Sequence, residues 1–112
     1  MSSYTNIVKK EPKHEVEAET IIQFVTNKKT NTIQANDVVE VRGIIKEINF
    51  LNNRTTIYLG SNSHDSTFII CDMQNSEKSQ VALLNKFQAI KLKGIFKGFL
   101  SDIVLLDCVI SQ

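Results

Sequence analysis

Arg54 and Tyr58 stand four apart in the run RTTIYLG, Phe68 lies inside STFIICDM, and Lys97 and Phe99 fall together in GIFKGFL. These residue types do recognition chemistry: an aromatic face stacks on a planar base, and an ammonium or guanidinium group follows a phosphate backbone. Groups that make and break bonds are scarce. His14 lies near the N-terminus and His64 in a polar stretch, neither has an obvious nucleophile or carboxylate partner, and there is no Ser-His-Asp, HExxH or phosphate-cradling glycine motif. The acids Glu47, Asp72, Asp102 and Asp107 read as strand ends, turns and solvated faces. The expectation is a protein that binds rather than catalyses, with no cofactor.

Cys71 and Cys108 are the only cysteines, and no CxxC pair or His-rich cluster accompanies them, so no obligate metal is expected. They read as buried thiols or, in an oxidising compartment and on neighbouring strands, as a disulfide. Thirteen Lys and Arg against twelve Asp and Glu leave a net charge of +1, without the basic surplus of a dedicated duplex-DNA binder. With 112 residues, 42% hydrophobic and 22% charged, the chain suits one globular domain and neither a disordered nor a coiled-coil protein.

The elements that must position the rings and cations follow from periodicity. HEVEAETIIQFVT, residues 14–26, places Val16, Ile21, Ile22 and Val25 near helical spacing and predicts an amphipathic helix ending in the polar stretch 27–37. VVEVRGIIKEINF, residues 38–50, alternates as a strand. Its parity slips behind Gly43, between the set Val39, Val41, Ile45 and the set Ile48, Phe50, which predicts a bulged, bent strand. Asn52 and Asn53 make a turn into a second strand over residues 54–60, with Thr55, Ile57 and Leu59 on one face and Arg54, Thr56 and Tyr58 on the other. Residues 61–65 form a loop and 66–73 a third strand, on which Phe68 falls either outside or in the core. A helix over about residues 77–86 follows, with a serine cap at Ser76 and Val81, Leu84 and Phe87 at helical spacing.

The run KGIFKGFLSDIVLLDCVI, residues 93–110, is broken by Gly94, Lys97, Gly98 and Asp102 into pieces far shorter than the roughly 20 residues of a membrane-spanning helix. It reads as strands four and five with a tight turn. Ile90, Leu92 and Phe96 alternate with a solvated row of Lys91, Lys93 and Lys97, a pattern that also protects a sheet edge. The fold class is therefore all-β with minor helices: a five-stranded oligonucleotide/oligosaccharide-binding (OB) barrel, with a helix between strands three and four and an N-terminal amphipathic helix. Strand five, between strands three and four, would then hold Cys108 near Cys71, and its second apolar face would lie under the N-terminal helix or at a bulge. Residues 1–13 read as a flexible polar spacer without an apolar signal core, and residues 14–112 as the single domain.

VVEVRGIIKEI, FIICDM and above all IKLKGIFKGFLSDIVLLDCVI, with its glycine, aspartate and cysteine arrangement from Gly94 to Cys108, resemble the tRNA-anticodon-binding-like OB-fold family over about residues 14–111. This is a family of bacterial proteins, many anchored in the cell envelope. An OB-fold binder lays its ligand across the outer face of strands two and three, between the one-two and four-five loops. Arg54, Tyr58, Phe68, Lys97 and Phe99 fall there as the candidate ligand-binding set, for weak single-stranded nucleic-acid binding. The alternative is an envelope module binding a protein or a glycan. The resemblance also implies a tether to the membrane through a segment upstream of this chain, against which stands the ordinary polar terminus of a cytoplasmic protein.

Overall fold

The computed structural model describes residues 7–26, 33–62, 67–99 and 102–111. Its central strand is β2 (Val38–Leu51), long enough at 14 residues to serve both ends of a barrel. The first half of β2 pairs antiparallel with β5 (Ala89–Phe99), and its second half with β3 (Arg54–Gly60). β3 pairs with β4 (Ile69–Met73), which runs parallel to β6 (Ile103–Ile110), and β6 returns to β5. The circuit β2-β3-β4-β6-β5 closes through the β2–β5 pairing, so the protein is a five-stranded OB-fold barrel.

Alternation dictates which residues fill it. Val39, Val41, Ile57, Leu59, Ile69, Leu92 and Leu105 are fully buried at the inward positions. The parity slip becomes a bulge, because the register passes from Ile45 opposite Leu59 directly to Glu47 opposite Tyr58. Gly43 lets α1 (Ala18–Thr26) approach this bend: a Cβ there would lie 2.9 Å from the Ala18 Cβ and 2.9 Å from the Gly60 carbonyl oxygen. The β2–β3 turn puts Asn52 and Asn53 both at positive φ, the conformation that a tight two-residue hairpin requires and asparagine tolerates. Both thiols are free and buried, and burial followed by the neighbouring Cys71 thiol pushes the Cys108 thiol well up.

Several expectations are corrected. The predicted N-terminal helix loses its first turn to a strand, β1 (His14–Glu17), parallel to β2. Where β2 leaves β3, its edge groups stand unpaired, and the alternation in HEVE satisfies them better than another helical turn. The helix over 77–86 shrinks to a 3₁₀ turn (Asn75–Glu77) and one α-turn, α2 (Lys78–Val81). Two bonds to the β2 backbone end it: the Phe87 amide donates to the Ile45 carbonyl (2.7 Å) and the Ile45 amide to the Gln88 carbonyl (2.9 Å). Ser76 caps nothing; the Glu77 carboxylate accepts instead from the Ile110 amide at 2.7 Å, tying this segment to β6.

The third strand begins at Ile69 rather than 66. The lysine row is not solvated throughout, because Lys93 is buried and its Nζ donates to the carbonyls of Val8 (3.1 Å) and Lys10 (2.8 Å). The second apolar face of strand five lies under neither α1 nor a bulge alone: Ile7, fully buried, covers Ile95 and Val109. Thus the described part of the expected spacer, residues 7–13, is an arm laid on the β5–β6 face. Residues 1–6 lie outside the described residues.

Candidate nucleic-acid interface

Alternation turns Tyr58 and Ile70 outward as cross-strand partners on β3 and β4. Phe68, just before β4, resolves to the outside. It stands half-buried beside Tyr58 with ring centroids 6.5 Å apart and planes at 81°, an edge-to-face pair. The loop joining β5 and β6 holds Phe68 in place, since Asp102 Oδ1 accepts from the Phe68 amide (2.8 Å) and the Ile103 amide donates to the Phe68 carbonyl (3.0 Å). Asp102 is therefore a brace for this ring rather than a free charge. Together the half-exposed rings and Ile70 make a small apolar shelf, the form a stacking surface takes.

The structure divides the remaining expected site residues. Arg54 lies on the same outward face at the hairpin end, with its guanidinium donating to Asp72 Oδ2 at 2.8 Å. That pair is mostly exposed and worth at most about 1 kcal/mol, so Arg54 can leave it for a phosphate. Lys97 belongs elsewhere. Its Nζ donates to Asn36 Oδ1 (2.7 Å), on the β2 side of β5, whereas Phe68 lies beyond the opposite edge of that strand. Phe99 pairs its backbone with Ile103, and its side chain lies outside the described residues, as does His64. Tyr58 and Phe68 are brought together, Arg54 joins their face, and Lys97 does not.

Sequence reasoning missed the residues across β2 from Tyr58. The bulge sets Lys46 and Glu47 against Tyr58 alone, and the Glu47 carboxylate lies 3.9 Å from Lys86 Nζ, which stands 5.3 Å from the centre of the Phe87 ring. The parity slip at Lys46 was the available signal. Reading Phe87 as the inner face of a helix hid the other half: its ring is 68% exposed.

A second polar cluster also escaped notice. His14 has a carboxylate partner after all, Asp37, whose Oδ2 lies 2.9 Å from His14 Nε2 and accepts from the Gln34 amide at 2.9 Å. The Gln34 amide, then His14, hold the Asp37 carboxyl below its ordinary range. This cluster pins β1 to the start of β2. Among the described residues no group of three or more His, Cys, Asp and Glu side chains is placed to hold a metal.

The chain matches the tRNA_anti-like family over residues 2–110. It belongs to that family. No curated protein sequence matches it. Solved structures share the fold, two of them as follows. A chain of the S. pombe Stn1–Ten1 complex superposes with a TM-score of 0.53 at 11% identity, over 67% of this chain and 58% of that one. An OBody bound to hen egg-white lysozyme gives a TM-score of 0.53 at 11% identity, over 70% of this chain and 79% of that one. The tRNA_anti-like chain thus spans little more than half of the Stn1–Ten1 chain it resembles, and likeness at this identity carries the fold alone.

Proposed function

We propose that this tRNA_anti-like barrel is a non-enzymatic binding module that holds single-stranded nucleic acid weakly on the outer face of β3 and β4. The observation that carries the reading is the edge-to-face pair of Tyr58 and Phe68, half-exposed and braced by Asp102. Stacking is tolerant of sequence and contributes about 1–3 kcal/mol per base, whereas a net charge of +1 supplies little long-range attraction. Affinity is therefore expected in the range of non-specific binding, about 10⁻⁴ to 10⁻⁶ M, declining with salt. Fluorescence anisotropy of a labelled twelve-nucleotide deoxythymidylate strand at low and high salt tests it. Tyr58→Ala is expected to weaken binding about tenfold; an unchanged affinity would sink the proposed face.

A protein partner is the second reading, favoured by the carboxylates of Glu47 and Asp72 flanking the same shelf. The OBody bound to lysozyme is an example of this fold holding a protein. This reading goes with a membrane tether upstream of the chain and a barrel in the cell envelope, where a glycan would be the other ligand to screen. Fractionation of the native protein separates the two settings.

A further inference from the structure

We propose that the bound strand does not run from Tyr58 toward Lys97 but crosses the bulge of β2 and ends on Phe87, with Lys46 and Lys86 as its phosphate-binding cations. The proposal rests on the single-strand reading of the Tyr58 face and names a part of the site that the OB-fold comparison does not supply.

Three observations carry it. First, Lys97 is held by Asn36, Lys91 by Glu40 and Lys93 by the arm's carbonyls, whereas Arg54, whose exposed guanidinium can exchange Asp72 for a phosphate, stays at the hairpin end of the shelf. Among the described residues Lys46 makes no ion pair or side-chain hydrogen bond. It is the extra residue of the bulge, between Ile45 opposite Leu59 and Glu47 opposite Tyr58. Bulges re-aim side chains in this way next to functional sites. Lys46 is thus a partly exposed cation on the bulge opposite Tyr58 with no partner among the described residues.

Second, Phe87 is an exposed ring on a fixed backbone. Its φ of 71° is a conformation that a bulky residue adopts only where the surroundings impose it. The surroundings here are the two hydrogen bonds between residues 87–88 and Ile45. The ring is thereby held at the bulge rather than folded onto the core, as the helical spacing with Val81 had suggested.

Third, a continuous path connects the two platforms. Tyr58 faces Glu47 across one strand spacing, Glu47 approaches Lys86 (3.9 Å), and Lys86 stands over the Phe87 ring (5.3 Å). A base on Phe87 and one on Tyr58 would leave the connecting phosphates over Lys46 and Lys86. Among the described residues Glu47 is the carboxylate paired with Lys86 on that path, and a polyanion must displace it. This predicts that removing the Glu47 charge strengthens binding, a sign that a merely structural ion pair would not give.

The test is anisotropy of the labelled twelve-nucleotide deoxythymidylate strand against the full chain and its variants, as a function of salt. Phe87→Ala should weaken binding about fivefold to tenfold. Phe87→Gly, which removes the ring while relieving the positive φ, should do the same with the fold intact in a thermal melt. Lys46→Ala should weaken binding and lower the slope of log affinity against log salt by about 0.7, the value for one phosphate contact on a single strand. Glu47→Gln should strengthen binding about threefold, and Lys97→Ala should leave it unchanged. Loss of binding in Tyr58→Ala alongside unchanged affinity in Lys46→Ala or in the Phe87 variants overturns the path and leaves the Tyr58 face standing. Absence of binding by the unmodified chain at low salt overturns both.

Discussion

Two outward sheet faces of this barrel carry apolar side chains, and the chain treats them differently. On the β5–β6 face, Ile95 and Val109 are 9% and 3% exposed because residues 7–13 lie across them, with Ile7 inserted and Lys93 bound to the arm's carbonyls. On the β3–β4 face, Tyr58, Phe68 and Ile70 stand half-exposed with no segment of the described chain above them. Apolar surface left in water costs free energy in proportion to its area, so a covered face stabilises the fold and an open one holds interaction energy for a ligand. The difference separates a face built for stability from one built for binding, and substitutions on the two should part along that line.

The largest effect is expected beneath the covered face. A Cβ on Gly94 would meet the Cys108 sulfur at 2.4 Å and the Leu105 Cβ at 3.2 Å, with the Leu106 carbonyl oxygen also at 3.2 Å. Backbone and two packed side chains cannot all retreat. Gly94→Ala should therefore destabilise the protein by about 3 kcal/mol, lowering the melting temperature by on the order of 10 °C. Chemical denaturation measures it; a loss below about 1 kcal/mol would mean that this layer is looser than the packing indicates.

The arm itself comes next. Ile7→Ala removes a fully buried side chain and should cost about 2 kcal/mol, at the low end for isoleucine because the arm can follow the cavity. Oligonucleotide affinity should not change. If affinity moved and stability did not, the assignment of the two faces would be reversed.

Tyr58→Ala should show the converse, a stability change within about 1 kcal/mol and the tenfold loss of oligonucleotide binding already described. Comparing melting curves with titrations of the same variants sharpens the contrast into a double dissociation.

The smallest effect concerns the latch between β1 and β2. Asp37 is held below the ordinary aspartate value of 3.8, first by the Gln34 amide and then by His14. A carboxyl depressed in the folded state contributes stability that is complete above its unfolded value and lost as the pH falls through the folded one. Stability should decline below about pH 4, and Asp37→Asn should flatten that decline. An unchanged acid limb in the pH dependence of the denaturation midpoint would remove Asp37 from the account.

Much of this architecture was legible. The outward set Arg54, Thr56, Tyr58 and the inward set Thr55, Ile57, Leu59 followed from alternation alone, because neighbouring residues on a strand must point to opposite faces. The Asn52–Asn53 turn and the bend behind Gly43 were legible for the same local reason. His14–Glu17 was not: four residues with a single aliphatic side chain fit either period, and the vacant β2 edge that decided between them lies more than twenty residues away in sequence. Lys93 misled in the same way, since alternation tells inside from outside but not which outside will be roofed.

What the sequence determined by itself, then, is the order of the five barrel strands, their inward faces and the barrel they close. These follow from hydrophobic period, glycine and asparagine, and each is a property of a few adjacent residues. Tertiary structure alone decided which charges are free. Arg54, Lys91, Lys93 and Lys97 each found a partner from another part of the chain, and among the described residues Lys46 did not. It alone decided as well that Phe87 faces water, through two hydrogen bonds to Ile45. The physical reason is common to both: ion pairs and backbone hydrogen bonds form between groups that closure of the barrel brings within a few ångströms, and no local pattern encodes that approach.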